Sequence, residues 1–132
     1  MTDCIFCSIV AGTIPATKVY EDDISVAFLD IHPVHPGHLL LIPREHHVHM
    51  LETPDEVVGQ LFIRAKKLMA AVKAGTQADF VVLDVVGLDV PHFHIHLIPR
   101  YHTDGLKGWP EGTYGAGEAE IVAEAIRKAL IS

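Results

Sequence analysis

Apolar and polar positions alternate along the chain in two rhythms, one of period two and one of period 3.6. In VYEDDISVAFLD two apolar runs flank a polar turn at Glu21 to Asp23, which predicts a short strand, a turn and a second strand over Ile24 to Leu29. IHPVHPG, with two prolines and a glycine, is a loop, and HLLLIP resumes a strand that Pro43 closes, an antiparallel partner for the one before. TPDEVVGQLFIRAKKLMAAVKAG carries the helical rhythm. Val57, Leu61, Ala65, Leu68 and Val72 form one stripe, Thr53 is positioned to cap it, Pro54 suits the first helical position, Glu56 completes a capping box and Gly75 ends the helix. DFVVLDVV fits a buried strand, with a turn at Gly87. After Arg100 the pattern breaks through TDGLKGWPEGTYGAG. It resumes near Glu118, where Ile121, Val122, Ala125 and Ala129 make a second stripe and Glu124 stands four residues before Lys128. Grouped strands with separate helices predict an α+β fold on an antiparallel sheet, with the histidine strand at its centre.

That strand is VPHFHIHLIPR. Alternate residues of a strand share a face, so His92, His94 and His96 lie together and Phe93, Ile95 and Leu97 lie opposite. Three adjacent imidazoles disfavour one another's protons, and burial disfavours any charge, so at least one is neutral and free to act as nucleophile or metal ligand. A solvated face would more ordinarily hold Ser, Thr or Lys. The chain has ten histidines, all between His32 and His49 or between His92 and His102, which suggests two segments meeting in space.

Composition narrows the classes. With 132 residues, 49% hydrophobic and 20% charged, the chain is expected to form one domain over residues 1–132, with a core at 4–100 and a tail and helix at 101–132. A net charge of -7 argues against a polymeric nucleic-acid partner but leaves room for a small anion in a local pocket. No stretch reaches the roughly 20 apolar residues of a membrane span. The N-terminus shows no secretory signal, so a cytoplasmic location is expected. The two cysteines, Cys4 and Cys7, form C-x-x-C, which in a reducing compartment is a metal knuckle or a redox pair before it is a structural disulfide.

HFHIHLI resembles the signature of the histidine-triad (HIT) family, in which histidines alternate with hydrophobic residues. CIFCSIVAGTIPATKVYEDDISVAFLDIHPVHPGHLLLIPREH is similar to the family's N-terminal half, so the resemblance covers about Cys4 to Arg100. It implies a five-stranded antiparallel sheet, a homodimer in which two sheets join, and hydrolysis or transfer of an AMP-like nucleotide, a phosphoramidate or a dinucleoside polyphosphate, at its α-phosphorus through a nucleotidyl-histidine intermediate. By matching positions it implies that His94 is the nucleophile, that His96 contacts the phosphate and helps protonate the leaving group, and that His38 supports the triad. Asp30 would contact the ribose; taken alone it is a turn-forming residue at a strand end. Ile5, Phe6, Phe28, Ile31 and Leu40 would line the base pocket, though each also suits ordinary core packing. Asp89 would stand beside the phosphate, in GLDVPH, where many members have G-Q-x-V-x-H.

The zinc-containing bacterial branch further implies structural zinc on Cys4, Cys7, His46 and His92, against a plain reading of two free thiols and a surface His46. His32, His35, His47, His49 and His102 are expected in loop or surface roles. Trp109, in GWPEG, is similar to a short tryptophan-proline tail in one family branch, where the C-terminus reaches the neighbouring active site; the preferred expectation is that it packs its own loop. Leu88 and Asp89 keep open a nucleotide-binding regulator with little turnover. Nucleotidyl transfer ranks lower, because the related transferases have an H-P-H core that this chain lacks.

Overall fold

The structure, a computed structural model, describes residues 4–131. Helix α1 (Ile5–Ala11) opens it, followed by β1 (Lys18–Glu21), β2 (Ser25–Leu29), β3 (Leu39–Pro43), a 3-10 turn at Met50–Glu52, α2 (Asp55–Thr76), β4 (Phe80–Asp84), β5 (Ile95–Arg100) and α3 (Glu118–Ile131). The five strands form one antiparallel sheet in the order β1-β2-β3-β5-β4.

Period-two alternation divides the sheet into two faces. Ala27, Leu29, Leu39, Leu41, Ile95 and Leu97 point to one side, where they pack with Phe93 against Leu61, Ala65, Leu68, Ala71 and Val72 of α2 and Ala123 and Ile126 of α3. Val26, Phe28, Leu40 and Ile42 point to the other and pack with Cys4, Phe6 and Ile9. Leu40 pairs with His96 across the β3–β5 ladder, so the histidines occupy this second face, under α1 rather than under the long helices.

Several boundaries differ from the sequence pattern. The apolar residues of α1 form no long stripe, and its start is fixed locally: Cys4 Sγ accepts the Cys7 N–H at 3.4 Å, and Gly12 at φ 83° closes the far end. Thr53 does not cap α2; Pro54 holds that position, and the Thr53 hydroxyl donates to the His49 carbonyl at 2.8 Å, closing the preceding turn. DFVVLDVV is not a buried strand, since β4 is a sheet edge with Phe80 exposed and Val81 to Asp84 half-buried. The histidine strand lies fourth of five, with β3 at the centre, and regular pairing begins only at Ile95, so His92 and His94 precede the strand. In α3 the buried residues are Ala123 and Ile126, while Ile121 is 73% exposed, because α2 and β1 approach from a different side than the stripe suggested. Glu124 pairs with Arg127 at 3.1 Å.

Gly75 does not end α2, which runs on to Thr76 and closes with Gln77 in the left-handed region at φ 59°. It marks the crossing with α3: a Cβ there would sit 3.0 Å from the backbone of Ala125 and Ile126. Gly75→Ala would gain about 1 kcal/mol of helix propensity but would force two backbones apart at a cost of about 1–3 kcal/mol. We expect a net loss of stability, read as a lower Tm in thermal melts; a higher Tm would show that the helices yield.

Candidate active site and metal centre

Two clusters of polar side chains form where the loops before β3, after β3 and before β5 meet. The first unites the C-x-x-C pair with the second and third loops. One helical turn separates Cys4 from Cys7, which places both sulfurs on one side of α1. Cys4 Sγ lies 3.4 Å from His92 Nδ1, Cys7 Sγ lies 3.5 Å from the same nitrogen and 3.2 Å from His46 Nδ1. All four donor atoms fall within 4.8 Å of one another. A tetrahedral zinc with Zn–S about 2.3 Å and Zn–N about 2.0 Å has donor-to-donor edges of about 3.5 Å, so these spacings fit.

The surrounding hydrogen bonds agree. The Pro43 carbonyl can only accept, so His92 carries its proton on Nε2, donated at 2.9 Å, and its Nδ1 lone pair faces the thiols. Burial and the neighbouring Cys4 push the Cys7 thiol up to about 11, which a bound divalent cation would reverse by favouring the thiolate. Cys4, Cys7, His46 and His92 could therefore hold a metal ion.

The second cluster is the triad proper. His94 Nδ1 donates to the His92 carbonyl at 2.6 Å, which leaves Nε2 as a lone pair. Phe6 meets the His94 ring edge-on at 5.2 Å and Phe28 at 5.5 Å, so an apolar floor of Phe6, Phe28 and Leu40 lies beside the imidazole. Ile5 and Ile31 are exposed at 45% and 74%. His96 packs 5.0 Å from His94.

Behind His96 lies His38, fully buried. Gly37 brings it there at φ 101°, and a Cβ on Gly37 would be 2.5 Å from Thr76 Cγ2. The Val34 N–H donates to His38 Nδ1 at 3.0 Å, so the His38 proton resides on Nε2, 3.0 Å from His96 Nδ1 and 3.6 Å from Asp30 Oδ2. His96 Nδ1 then accepts, and its own proton sits on Nε2. Asp30, His38 and His96 lie as close together as a metal-binding set. The backbone donor at His38 Nδ1 argues against that role, because it commits Nε2 to a proton.

Asp30 forms the turn expected of it taken alone, Oδ1 accepting the His32 N–H at 2.8 Å, while Oδ2 faces His38 at 3.6 Å. Asp89 and Leu88 are exposed in the loop before the triad.

Burial pushes both His38 and His96 down to about 4, against the pull of Asp30. Both are neutral at pH 7. In the unfolded chain they take up protons near pH 6.5, whereas in the folded protein they do so only near pH 4. The unfolded state thus binds more protons between these values, and stability rises with pH through that window. It is complete above pH 6.5 and is lost as pH falls toward 4. Thermal melts at pH 7 and pH 4.5 should show the lower Tm at pH 4.5; equal values would mean that the pair titrates normally.

Three residues given no catalytic or binding role in the sequence analysis adjoin this cluster. Trp109 does not merely pack its own loop: its indole meets His96 edge-on at 4.8 Å and His38 at 5.8 Å. His35 and Asp104 bind each other at 3.0 Å just outside. Of these Trp109 had a sequence signal, the GWPEG stretch similar to the family's tryptophan-proline tail, while nothing local pointed His35 and Asp104 at each other. By contrast, a groove of about 390 Å³ on the other side of the sheet, lined by Tyr20, Arg64 and Leu68 among others, contains no comparable cluster, and its Arg64 is already bound to Asp22.

Comparison with known proteins accords with this geometry. The family model described as HIT domain matches residues 11–103. The chain belongs to the histidine-triad family. Over 128 residues it is 38% identical to adenosine 5'-monophosphoramidase hnt1 of Schizosaccharomyces pombe, an alignment covering 93% of this chain and 95% of that protein. Among solved HIT structures it resembles a Hit-like protein involved in cell-cycle regulation from Bartonella henselae, with TM-score 0.89, 32% identity and coverage of 98% of this chain and 97% of the other. A Zn-bound histidine triad family protein from Mycobacterium smegmatis gives TM-score 0.88, 31% identity and coverage of 98% and 94%. The HIT fold, with its five-stranded antiparallel sheet, is thus common to all three.

Proposed function

We propose that the protein is a nucleotide hydrolase that cleaves a phosphoramidate of an AMP-like nucleotide at the α-phosphorus through a nucleotidyl-His94 intermediate. The observation that carries this reading is the directional chain of imidazoles. The His92 carbonyl leaves a lone pair on His94 Nε2, and the His38 ring, oriented by the Val34 N–H, leaves a proton on His96 Nε2, two groups of opposite function on neighbouring side chains.

In the first step His94 Nε2 attacks phosphorus and the bond from phosphorus to the leaving nitrogen breaks; the His96 Nε2–H donates a hydrogen bond to that nitrogen, which leaves as an amine with a proton taken from solvent. The proton on His94 Nδ1, held by the His92 carbonyl, stabilises the imidazolium that attack creates. In the second step water adds to phosphorus beside the His96 Nε2–H, releases its proton to solvent, and frees His94 with AMP as product. The His38 Nε2–H keeps His96 Nδ1 an acceptor throughout, and burial keeps both rings neutral between steps. Asp30 Oδ2 supplies an acceptor for sugar hydroxyls, and the Phe6, Phe28 and Leu40 floor supports a base, with Ile5 and Ile31 at its rim. Asp89, exposed beside the phosphate, is placed to influence anion entry.

Zinc on Cys4, Cys7, His46 and His92 would tie α1 to the triad loop as a structural ion, and thiolate ligands suit a reducing cytoplasm. Two copies would join through the β4 edge, where Phe80 and the adjoining Val85 and Val86 are exposed; light scattering at twice the chain mass would support this. The described residues include no helix long and apolar enough to cross a membrane.

The S. pombe relative, named for monophosphoramidase activity, favours a phosphoramidate over a dinucleoside polyphosphate. The test is AMP release from adenosine phosphoramidate and from diadenosine polyphosphates, with rapid quench to trap the covalent intermediate. Tight AMP binding without intermediate or turnover would instead make the protein a nucleotide-binding regulator.

A further inference from the structure

The loop from Asp30 to His38 joins β2 to β3, closed at its base by the Asp30 N–H donating to the His38 carbonyl at 2.9 Å, and it carries two groups on which the proposed reaction depends. The segment 101–117, between β5 and α3, crosses it and is tied to it at three points. Gly112 N–H donates to the Pro33 carbonyl at 2.8 Å, Gly37 N–H donates to the Tyr114 hydroxyl at 3.0 Å, and His35 Nε2–H donates to Asp104 Oδ2 at 3.0 Å.

The third tie differs from the others. Asp104 accepts from Arg100 Nε at 2.7 Å and Nη2 at 3.0 Å, and from the backbone N–H groups of Tyr101 and Leu106, each at 3.1 Å. With His35 that makes five donors, enough to occupy every one of the about four lone-pair sites of a carboxylate. Its side chain is 8% exposed, unlike an ordinary surface pair four residues apart. His35 is gripped from a second side by Tyr101, edge-on at 5.1 Å, whose hydroxyl donates to the Thr76 carbonyl at the end of α2. A strand end, a helix end and the site loop thus meet at one carboxylate. Between Asp104 and the Gly112 tie lies Trp109, against His96 and His38.

We propose that Asp104 is a positioning residue of the active site: through His35 it holds the Asp30–His38 loop, and through the segment it begins it holds Trp109, against the triad. The proposal rests on the phosphoramidase reading for its kinetic consequence but not for its structural one. Arg100 orients Asp104, and His35 transmits the constraint to His38, three residues on.

Trp109 is the chain's single tryptophan, so its fluorescence reports where this segment sits. His35→Phe keeps a ring against Tyr101 and removes the N–H; His35→Gln restores a donor. We expect His35→Phe to lose about 10-fold in kcat/KM on adenosine phosphoramidate, the effect of one hydrogen bond to a charged group. Acrylamide quenching of Trp109 should rise, with Tm within about 4 °C of wild type, and His35→Gln should recover both readouts. Asp104→Asn should move both in the same direction as His35→Phe. Wild-type kinetics and quenching in His35→Phe would overturn the proposal. So would equal losses in the Phe and Gln variants accompanied by a fall in Tm, since the contact would then serve the fold alone. If the wild-type protein releases no AMP, the hydrolase reading fails by itself, and Trp109 quenching together with AMP affinity in the same variants still decides the role of Asp104.

Discussion

His94→Ala is expected to lower AMP release from adenosine phosphoramidate by on the order of 10⁴-fold or more, the scale on which removal of a covalent nucleophile acts. The loss should fall on kcat, with AMP affinity close to wild type, because Asp30 and the apolar floor remain. Stability should change little. The side chain is buried, but its one polar bond is to the His92 carbonyl two residues away, worth about 1 kcal/mol. Quenched reaction mixtures of wild type should contain protein-bound AMP that the variant lacks. A variant rate within tenfold of wild type would place the nucleophile elsewhere.

Cys7→Ala should produce the largest change in stability. With the chain held at four donors, loss of one thiolate opens the proposed zinc site and leaves Cys4, His46 and His92 crowded within 4.8 Å without a shared cation. Metal loss belongs to the small group of changes with severe effects, and we expect a decrease of on the order of 4 kcal/mol in unfolding free energy. Elemental analysis of protein purified without chelator should show zinc in wild type and none in the variant, with Tm falling in parallel. A strong chelator should bring the wild-type melt to that of the variant. Turnover should fall far less than in His94→Ala, within about tenfold, because the His94 Nδ1–H is held by a main-chain carbonyl that the substitution leaves in place. Equal zinc content in the two proteins would remove Cys7 from the site.

What could be seen in the chain follows from what periodicity encodes. Phe93, Ile95 and Leu97 do face the helix side and His96 the other, because alternation of side chains survives even where strand pairing has stopped. The stripe of α2 is buried as its spacing requires. Periodicity is blind to which neighbour arrives and from where. Ile121 belongs to an apolar rhythm and yet faces outward, and Gly75 resembles a terminator but is a contact with a helix some 50 residues further on.

The site divides in the same way. Cys4 and Cys7 stood out as a C-x-x-C pair, the resemblance to the family implied His46 and His92 beside them, and the four come together. Trp109, His35 and Asp104 act only through partners supplied by the fold, and Asp104 in its DG context has the composition of any turn. Helix α1 was missed because seven residues offer too few repeats for a rhythm.

His92 joins the two halves of the site by different parts of one residue. Its ring faces the thiols and its carbonyl receives the His94 proton. Every amino acid has that carbonyl, and only a few have a ring that binds metal. The residue type at this position is therefore answerable to the proposed metal centre, while the proposed chemistry asks only that the backbone pass that way. A lineage that lost its cysteines would be free to change the side chain here without surrendering the nucleophile beside it, so metal content and catalysis can diverge through evolution on an unchanged framework.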